Sequence, residues 1–308
     1  MDKRQFLKRS LDTTNAFMAF HGDEGVKVNP NIWDTRLRDY QRKLLVLTPR
    51  AEYYDFTIPG QDYKVTLDEE PSAAADLVET TNVAVSEFST RNVTFEPTER
   101  GARYQATYSE VARAFFPVAE RMTNKLAYKL AVKKDNVAFN TLVSGVHATH
   151  VVIANGKSAL TDIASTDTIG YAEILKAKRL IGKAQYVPTE LHINHDQEEQ
   201  LLRLGTIHKA NEFGTRSAIE NGLIGSLFGL DVFASHSIRS ANDRAPAIVL
   251  GVTNSGEKAF GYAEKRRPQI ETQRFAAGRY WDIVATEDYD FKVFHNKAYA
   301  LIYTTSTA

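Results

Sequence analysis

The chain has 308 residues, of which 38 are basic and 38 acidic, so its formal net charge is zero. It contains no cysteine, which excludes disulfides, thiolate nucleophiles and cysteine metal sites. Neutrality argues against a dedicated nucleic-acid binder, which carries a basic excess, and leaves the chain less protected from self-association than a strongly charged one.

Residues 1–30 read as a loosely helical basic arm, broken at Gly22-Asp23-Glu24-Gly25 and turning at Asn29-Pro30. The run Met1 to Phe20 lacks the long apolar stretch and cleavage site of a secretory signal. No stretch approaches the ~18 apolar residues of a membrane span. A cytoplasmic product without a targeting segment is therefore expected. Residues 31–48 predict a short helix carrying Arg36, Arg38, Arg42 and Lys43, stopped by Pro49. Residues 53–67 read as two strands around the turn Ile58-Pro59-Gly60-Gln61-Asp62. The segment 68–87 then holds Asp68, Glu69, Glu70, Asp76, Glu79 and Glu87 without one basic residue. Strand character returns over 88–108, where Tyr104, Ala106 and Tyr108 alternate with polar residues. Together these form a long two-stranded excursion with an acidic tip. An isolated two-stranded ribbon is marginal in water, so this one is expected to lie on something else, such as a neighbouring subunit.

Residues 110–143 give the strongest helix signal. Pro117 suits a first-turn position, and Val118, Met122, Leu126 and Leu130 recur at helical spacing up to the stop at Gly145. The same helix carries Arg121, Lys125, Lys129 and Lys133 four apart, as one basic stripe. That stripe is either a solvated face or a surface for a polyanion or an acidic neighbour. Strands near 149–154, 189–194, 230–235, 246–252 and 258–263, helices over 169–184 and about 195–204, and a strand-rich 264–308 complete the chain. This order is not the βαβα alternation of a doubly wound enzyme.

Catalytic signatures are weak. His192, His195 and Asp196 could hold a metal, but no HExxH pattern or third histidine accompanies them. Asn194 and Asp196 fit better as helix caps. His147 and His150 lie at a helix-to-strand turn. Ser235-His236-Ser237 would point to opposite faces of a strand and lacks a nucleophile elbow. The glycines of 221–229 precede a strand and not a helix N-terminus, so they permit turns and do not cradle phosphate. Lys265-Arg266-Arg267 is a second basic cluster, of a kind that is ordinarily solvated. No catalytic residue, metal or cofactor is assigned.

Several stretches resemble the HK97-fold major capsid proteins of tailed phages and related viruses. Phe88-Ser89-Thr90-Arg91-Asn92-Val93-Thr94-Phe95, running on through Glu99 to Tyr104 and Tyr108-Ser109-Glu110, is similar to that family's passage from extended loop to spine helix. Residues 114–143 look like the spine helix itself. The run Gly222 to Ser235 is similar to the family's Gly-x-Ile…Gly-x-x-Val-x-x-Ser segment. Phe291-Lys292-Val293-Phe294 and Ala298 to Leu301 look like its terminal strands.

The resemblance implies an α+β, HK97-like capsid fold. Residues 1–50 would be the N-terminal arm and 51–108 the extended β-hairpin, or E-loop. Residues 109–154 and 263–292 would form a peripheral domain with the spine helix, and 155–262 and 293–308 an axial domain. It implies a major capsid protein whose copies form hexamers and pentamers of an icosahedral shell around double-stranded DNA, assembled in the host cytoplasm. Other copies of the chain would be its main partners. A portal protein, a scaffolding protein and non-specifically packaged DNA are also expected, with room for a decoration protein and no membrane contact. Asp68, Glu69, Glu70, Asp76, Glu79, Arg36, Arg38 and Arg42 are the expected inter-subunit contacts, and the stripe Arg121, Lys125, Lys129 and Lys133 would face DNA or a neighbour. Some family members cross-link a loop lysine to a neighbour. Here 65–90 has no lysine and Lys64 sits at the ribbon's base, so no cross-link is expected. Nor is there room for an internal scaffolding segment of about a hundred residues, which implies a separate scaffold or none. A cellular nanocompartment shell of the same fold, and a metal-dependent enzyme using His192, His195 and Asp196, are the alternatives.

Overall fold

The computed structural model describes residues 37–39, 41, 45–58, 63–68, 90–113, 118–203, 223–238 and 244–306. Its longest helix, α2 (Val118–Gly145), follows the short helix α1 (Tyr108–Arg113). α1 opens on a reciprocal cap: Glu110 N–H donates to Thr107 Oγ1 at 3.2 Å and Thr107 N–H to Glu110 Oε2 at 2.9 Å. α2 has 28 residues and so runs about 42 Å, ending at Gly145 as its sequence predicts. Pro117 lies outside the described residues.

α2 is amphipathic in the expected register. Met122, Leu126, Leu130, Ala138 and Leu142 are buried, whereas Arg121, Lys125, Lys129 and Lys133 are exposed. Its first half packs on a four-stranded sheet with Ile270, Ile283 and Ala285. That sheet runs β1 (Glu52–Asp55), β10 (Phe260–Phe275), β11 (Tyr280–Val293), β4 (Thr98–Thr107). Within it β1 pairs with β10 in parallel. The expectation of a hairpin between 53 and 67 is therefore corrected: the strands on either side of Ile58 belong to different sheets. β4 likewise leaves the excursion to pair with β11 from Thr98 to Thr107. Among the described residues the ribbon is confined to β2 (Lys64–Asp68) and β3 (Thr90–Thr94).

The second sheet has six strands in the order β5 (Val151–Ile153), β12 (Tyr299–Thr305), β9 (Arg244–Val252), β6 (Val187–Ile193), β8 (Leu230–Ala234), β7 (Leu223–Leu227). Successive residues of a strand face opposite ways, and the two faces bury different cores. Ala247, Val249, Ala300 and Ile302 meet α3 (Tyr171–Lys183) through Ile174, Ala177 and Ile181, and α4 (His195–Arg203) through Leu201. Ile248, Leu250, Tyr299 and Leu301 meet the C-terminal half of α2 and the start of β10. Each fully buried isoleucine or leucine contributes roughly 1.5–3 kcal/mol. β7 is an element the glycine-based reading missed. It joins β8 through the two-residue turn Phe228-Gly229, both at positive φ (55° and 75°), which matches the twist of a hairpin.

Two short chain crossings, 253–259 and 294–298, join the sheets beside the longer link through α2. They run side by side, because Phe294 and His295 both donate backbone hydrogen bonds to the Ala259 carbonyl. A Cβ on Gly261 would lie 2.2 Å from Phe294 Cζ, and one on Gly251 2.7 Å from the Ala298 carbonyl oxygen. Both glycines are required by close approach.

Candidate inter-subunit interface

The ribbon has one apolar and one polar side. Val65, Leu67 and Val93 turn toward an aromatic cluster of Tyr54, Phe56, Phe95 and Phe294, with Phe95 set edge-on to Phe294 at 6.1 Å between centroids. Arg91 donates to the Phe294 carbonyl. The ribbon's base thus rests on its own chain, which refines the expectation that it must lie on a neighbour. The other side carries Lys64, Thr66, Asp68, Asn92 and Thr94, all exposed. Of the acidic contact candidates, Asp68 ends β2 in solvent. Glu69, Glu70, Asp76 and Glu79 lie outside the described residues, as do Arg36 and Arg42. Arg38 is half-buried.

The two basic features part company. Each member of Lys265-Arg266-Arg267 is used inside the chain: Arg266 pairs with Glu99, Arg267 with Asp55 at 2.8 Å, and Lys265 reaches Asp288 at 3.8 Å. The cluster knits β1, β4, β10 and β11 together, and is neither simply solvated nor presented to a polyanion. On α2, Lys125, Lys129 and Lys133 form no ion pair among the described residues, and Tyr128 stands exposed between them.

The sequence reading passed over the charges buried beneath that stripe. Asp135 is 1% exposed. Its carboxylate accepts from Val46 N–H (2.7 Å), Leu47 N–H (3.3 Å), Thr48 N–H (3.0 Å) and Thr48 Oγ1 (2.7 Å). An anion at the open N–H groups of a helical turn is favourable, and here the turn is Thr48–Arg50. Residues 46–48 are therefore clamped to α2. One residue earlier, Lys134 pairs with Glu287 of β11 at 2.7 Å and lies 4.9 Å from the centre of the Tyr289 ring. Burial pushes the Glu287 carboxyl up, and Lys134 opposes that shift. A signal was available: Lys134 continues the four-residue spacing of Met122, Leu126 and Leu130.

The histidine candidates meet only in pairs: the His195 and His236 rings lie 4.2 Å apart and those of His147 and His150 6.1 Å apart. His192 is fully buried, stacks on Phe233 and bonds Glu190 Oε2 at 2.9 Å. Burial pulls its pKa down. Arg50 pairs with the same Glu190 at 3.0 Å and covers the Phe233 ring at 4.2 Å. His195 turns to Glu198 at 2.9 Å. Asn194 caps α4, its Oδ1 accepting from Gln197 N–H at 2.8 Å, while Asp196 accepts from the Asn194 amide at 3.2 Å. His150 bonds the Tyr299 carbonyl, and Ser235 Oγ accepts from Ser237 N–H. Among the described residues no three histidine or carboxylate side chains gather to hold a metal ion, and no helix is long and apolar enough to cross a membrane.

A family model described as phage capsid protein matches residues 91–302. The chain belongs to that family. The match takes in α2, the six-stranded sheet up to residue 302, and β4, β10 and β11 of the four-stranded sheet. No curated protein matches the chain. Among solved structures, the chain is similar to one titled Mycobacterium phage Che8, with 17% identity, a TM-score of 0.61, and coverage of 84% of this chain and 90% of that one. It is similar to the capsid of Ralstonia phage GP4 at 13% identity and a TM-score of 0.62, covering 86% and 90%. It is also similar to the capsid of cyanophage P-SCSP1u at 13% and 0.61, covering 83% and 86%. Identities this low speak to the fold, which is the HK97-like α+β capsid fold. Family and fold together make the chain a phage major capsid protein, a builder of the virion shell.

Proposed function

We propose that copies of this capsid protein form hexamers and pentamers of an icosahedral shell, assembled in the host cytoplasm around double-stranded DNA and held by non-covalent contacts alone. The observation that carries this reading is the asymmetry of charge use. Intramolecular partners neutralise the basic cluster on β10, whereas Lys125, Lys129 and Lys133 of the stripe on α2 are exposed and form no ion pair among the described residues. Like charges four apart cost a few tenths of a kcal/mol per pair, and an acidic surface on another copy offsets that cost. The acidic segment 68–87 is the complementary surface in this sequence. The E-loop of one copy would lie over a neighbour and meet Lys125, Lys129 and Lys133, with Arg121, Arg36, Arg38 and Arg42 contributing from the helix and arm. The same stripe, where not covered by an E-loop, would face packaged DNA. Resemblance supplies the remaining partners, namely a portal, a scaffolding protein and room for a decoration protein. Shell building, with no catalysis, is the proposed work of the chain.

Charge reversal tests this. The triple variant Glu69→Lys, Glu70→Lys, Glu79→Lys should fail to form closed particles, or should form particles that open at lower temperature, by negative-stain microscopy and light scattering. Normal particles of unchanged stability would refute the E-loop contact. Wild-type particles should migrate in SDS as plain monomer, and a covalent ladder would refute the non-covalent reading.

A further inference from the structure

One surface takes no part in the contacts proposed above. Along α3, Tyr171, Leu175 and Lys178 lie on one side, spaced four and three residues apart. The β7–β8 turn is laid across that side: Phe228 meets the Tyr171 ring edge-on at 5.4 Å, and Lys178 donates to the Phe228 carbonyl. Leu175, between those two contacts, therefore lies beside Phe228. Both side chains remain well exposed, at 47% and 40%. Lys176, Arg179 and Lys183 flank them in solvent, and the one acid of the helix, Glu173, accepts from Asn155 N–H. The result is an aromatic and aliphatic centre with a cationic rim, the anatomy of a protein interface. A surface for polyanion alone would not need the exposed leucine and phenylalanine.

The chain also carries a counterpart. α4 covers the same side of the same sheet and exposes Leu202 (41%); Glu199 pairs there with Arg203 at 2.6 Å and Glu198 with His195 at 2.9 Å, and with Asp196 the helix still carries more acids than its single arginine balances. Copies set head to tail around a five- or six-fold axis bring unlike surfaces together, whereas a two-fold axis pairs like ones. We infer that the Leu175–Phe228 patch of α3 docks on the acidic, leucine-bearing side of α4 in the next copy of the chain, forming the ring contact within a capsomer. This rests on the shell-building reading above and names the surfaces that would serve it.

Because the chain has no cysteine, introduced thiols report the contact cleanly. Leu175→Cys and Leu202→Cys are made singly and together, and the purified full-length chains are treated with a short bismaleimide. The double variant should give a ladder of linked chains and each single variant none. Assembled particles without a ladder would overturn the contact. So would dimers from Leu175→Cys alone, which would mean that like surfaces meet. A ladder from wild-type-like rings that never close into shells would uphold the contact and refute the closed-shell reading instead. In a second arm, Lys176→Glu with Arg179→Glu should block association while far-UV circular dichroism stays unchanged. Adding Glu198→Lys and Glu199→Lys should restore it. Normal association of the first variant with reduced DNA content would assign the patch to nucleic acid and overturn the proposal, and failure of the swap to restore association would remove α4 as its partner.

Discussion

At the residue scale the most consequential side chain is Asp135, which satisfies three backbone N–H groups and a hydroxyl from the end of the arm. Hydrogen bonds to a charged group are worth about 1.5–3 kcal/mol, and orphaning buried donors costs more than the bonds themselves. Asp135→Ala should therefore lower unfolding free energy by about 3 kcal/mol or more in chemical denaturation of the unassembled chain. It should also expose residues 45–50 to limited proteolysis. A second buried carboxylate sets an acid limit. Asp167 pairs with Lys157 and accepts from Ala164 N–H and Asn155 Nδ2. The lysine first, then those donors, pull its pKa down to about 2. A carboxylate depressed in the folded state stabilises the fold above its unfolded value near 4, and that contribution fades as pH falls toward the folded value. Asp167→Asn should flatten the fall in melting temperature between about pH 4 and pH 2, and an unchanged slope would refute the assignment. These charges were the least legible part of the sequence. Lys134 and Asp135 sit on the same helical stripe as Leu130 and Ala138, yet charge in a stripe suggests solvent until its partners, far along the chain in Glu287 and Thr48, are known.

At the level of elements, legibility followed range. α2, α3 and α4 were readable from spacing, because a helix is set by neighbours three and four residues away. Asn194 was readable as a cap for the same reason. The strands of the C-terminal third were readable as strands but not in their order. Nothing local in Glu52–Asp55 announces a parallel partner some two hundred residues on, nor that Thr98–Thr107 abandons the ribbon for β11. β7 was lost because glycines at 222, 225 and 229 read as turn residues, although Gly225 lies within the strand and Gly229, with Phe228, occupies the turn. The ribbon's base makes the sharpest prediction at this scale. Phe95 is 1% exposed and touches both Phe56 and Phe294. Phe95→Ala should cost about 3–5 kcal/mol, the range for truncating a buried phenylalanine. Hydrogen exchange should quicken at Val65 and Val93 before it does so in the six-stranded sheet.

For the whole molecule, equal numbers of acids and bases conceal an uneven distribution. Acids crowd the segment 68–87, while Lys125, Lys129 and Lys133 line α2 and Lys176, Arg179 and Lys183 the outer side of α3. Exposed pairs of opposite charge weaken as salt shortens the Debye length from about 10 Å at 0.1 M to 3 Å at 1 M. Assembly followed by light scattering should slow and weaken over that range. Replacing Lys125, Lys129 and Lys133 with Gln should remove most of that salt dependence while leaving the monomer's stability within about 0.5 kcal/mol, as for surface changes generally. The α+β fold class, the ribbon and the stripe were all visible in the sequence, whereas the joining of the two sheets was not, since it depends on packing at Gly251 and Gly261. That junction bears on mechanics. A shell loaded from within passes tension between the sheets through 253–259, through 294–298 and through α2, which packs on both. The two short spans are bonded side by side at Ala259 and so share that load, while the helix braces them as a rigid strut. Peeling the sheets apart thus means breaking three links together.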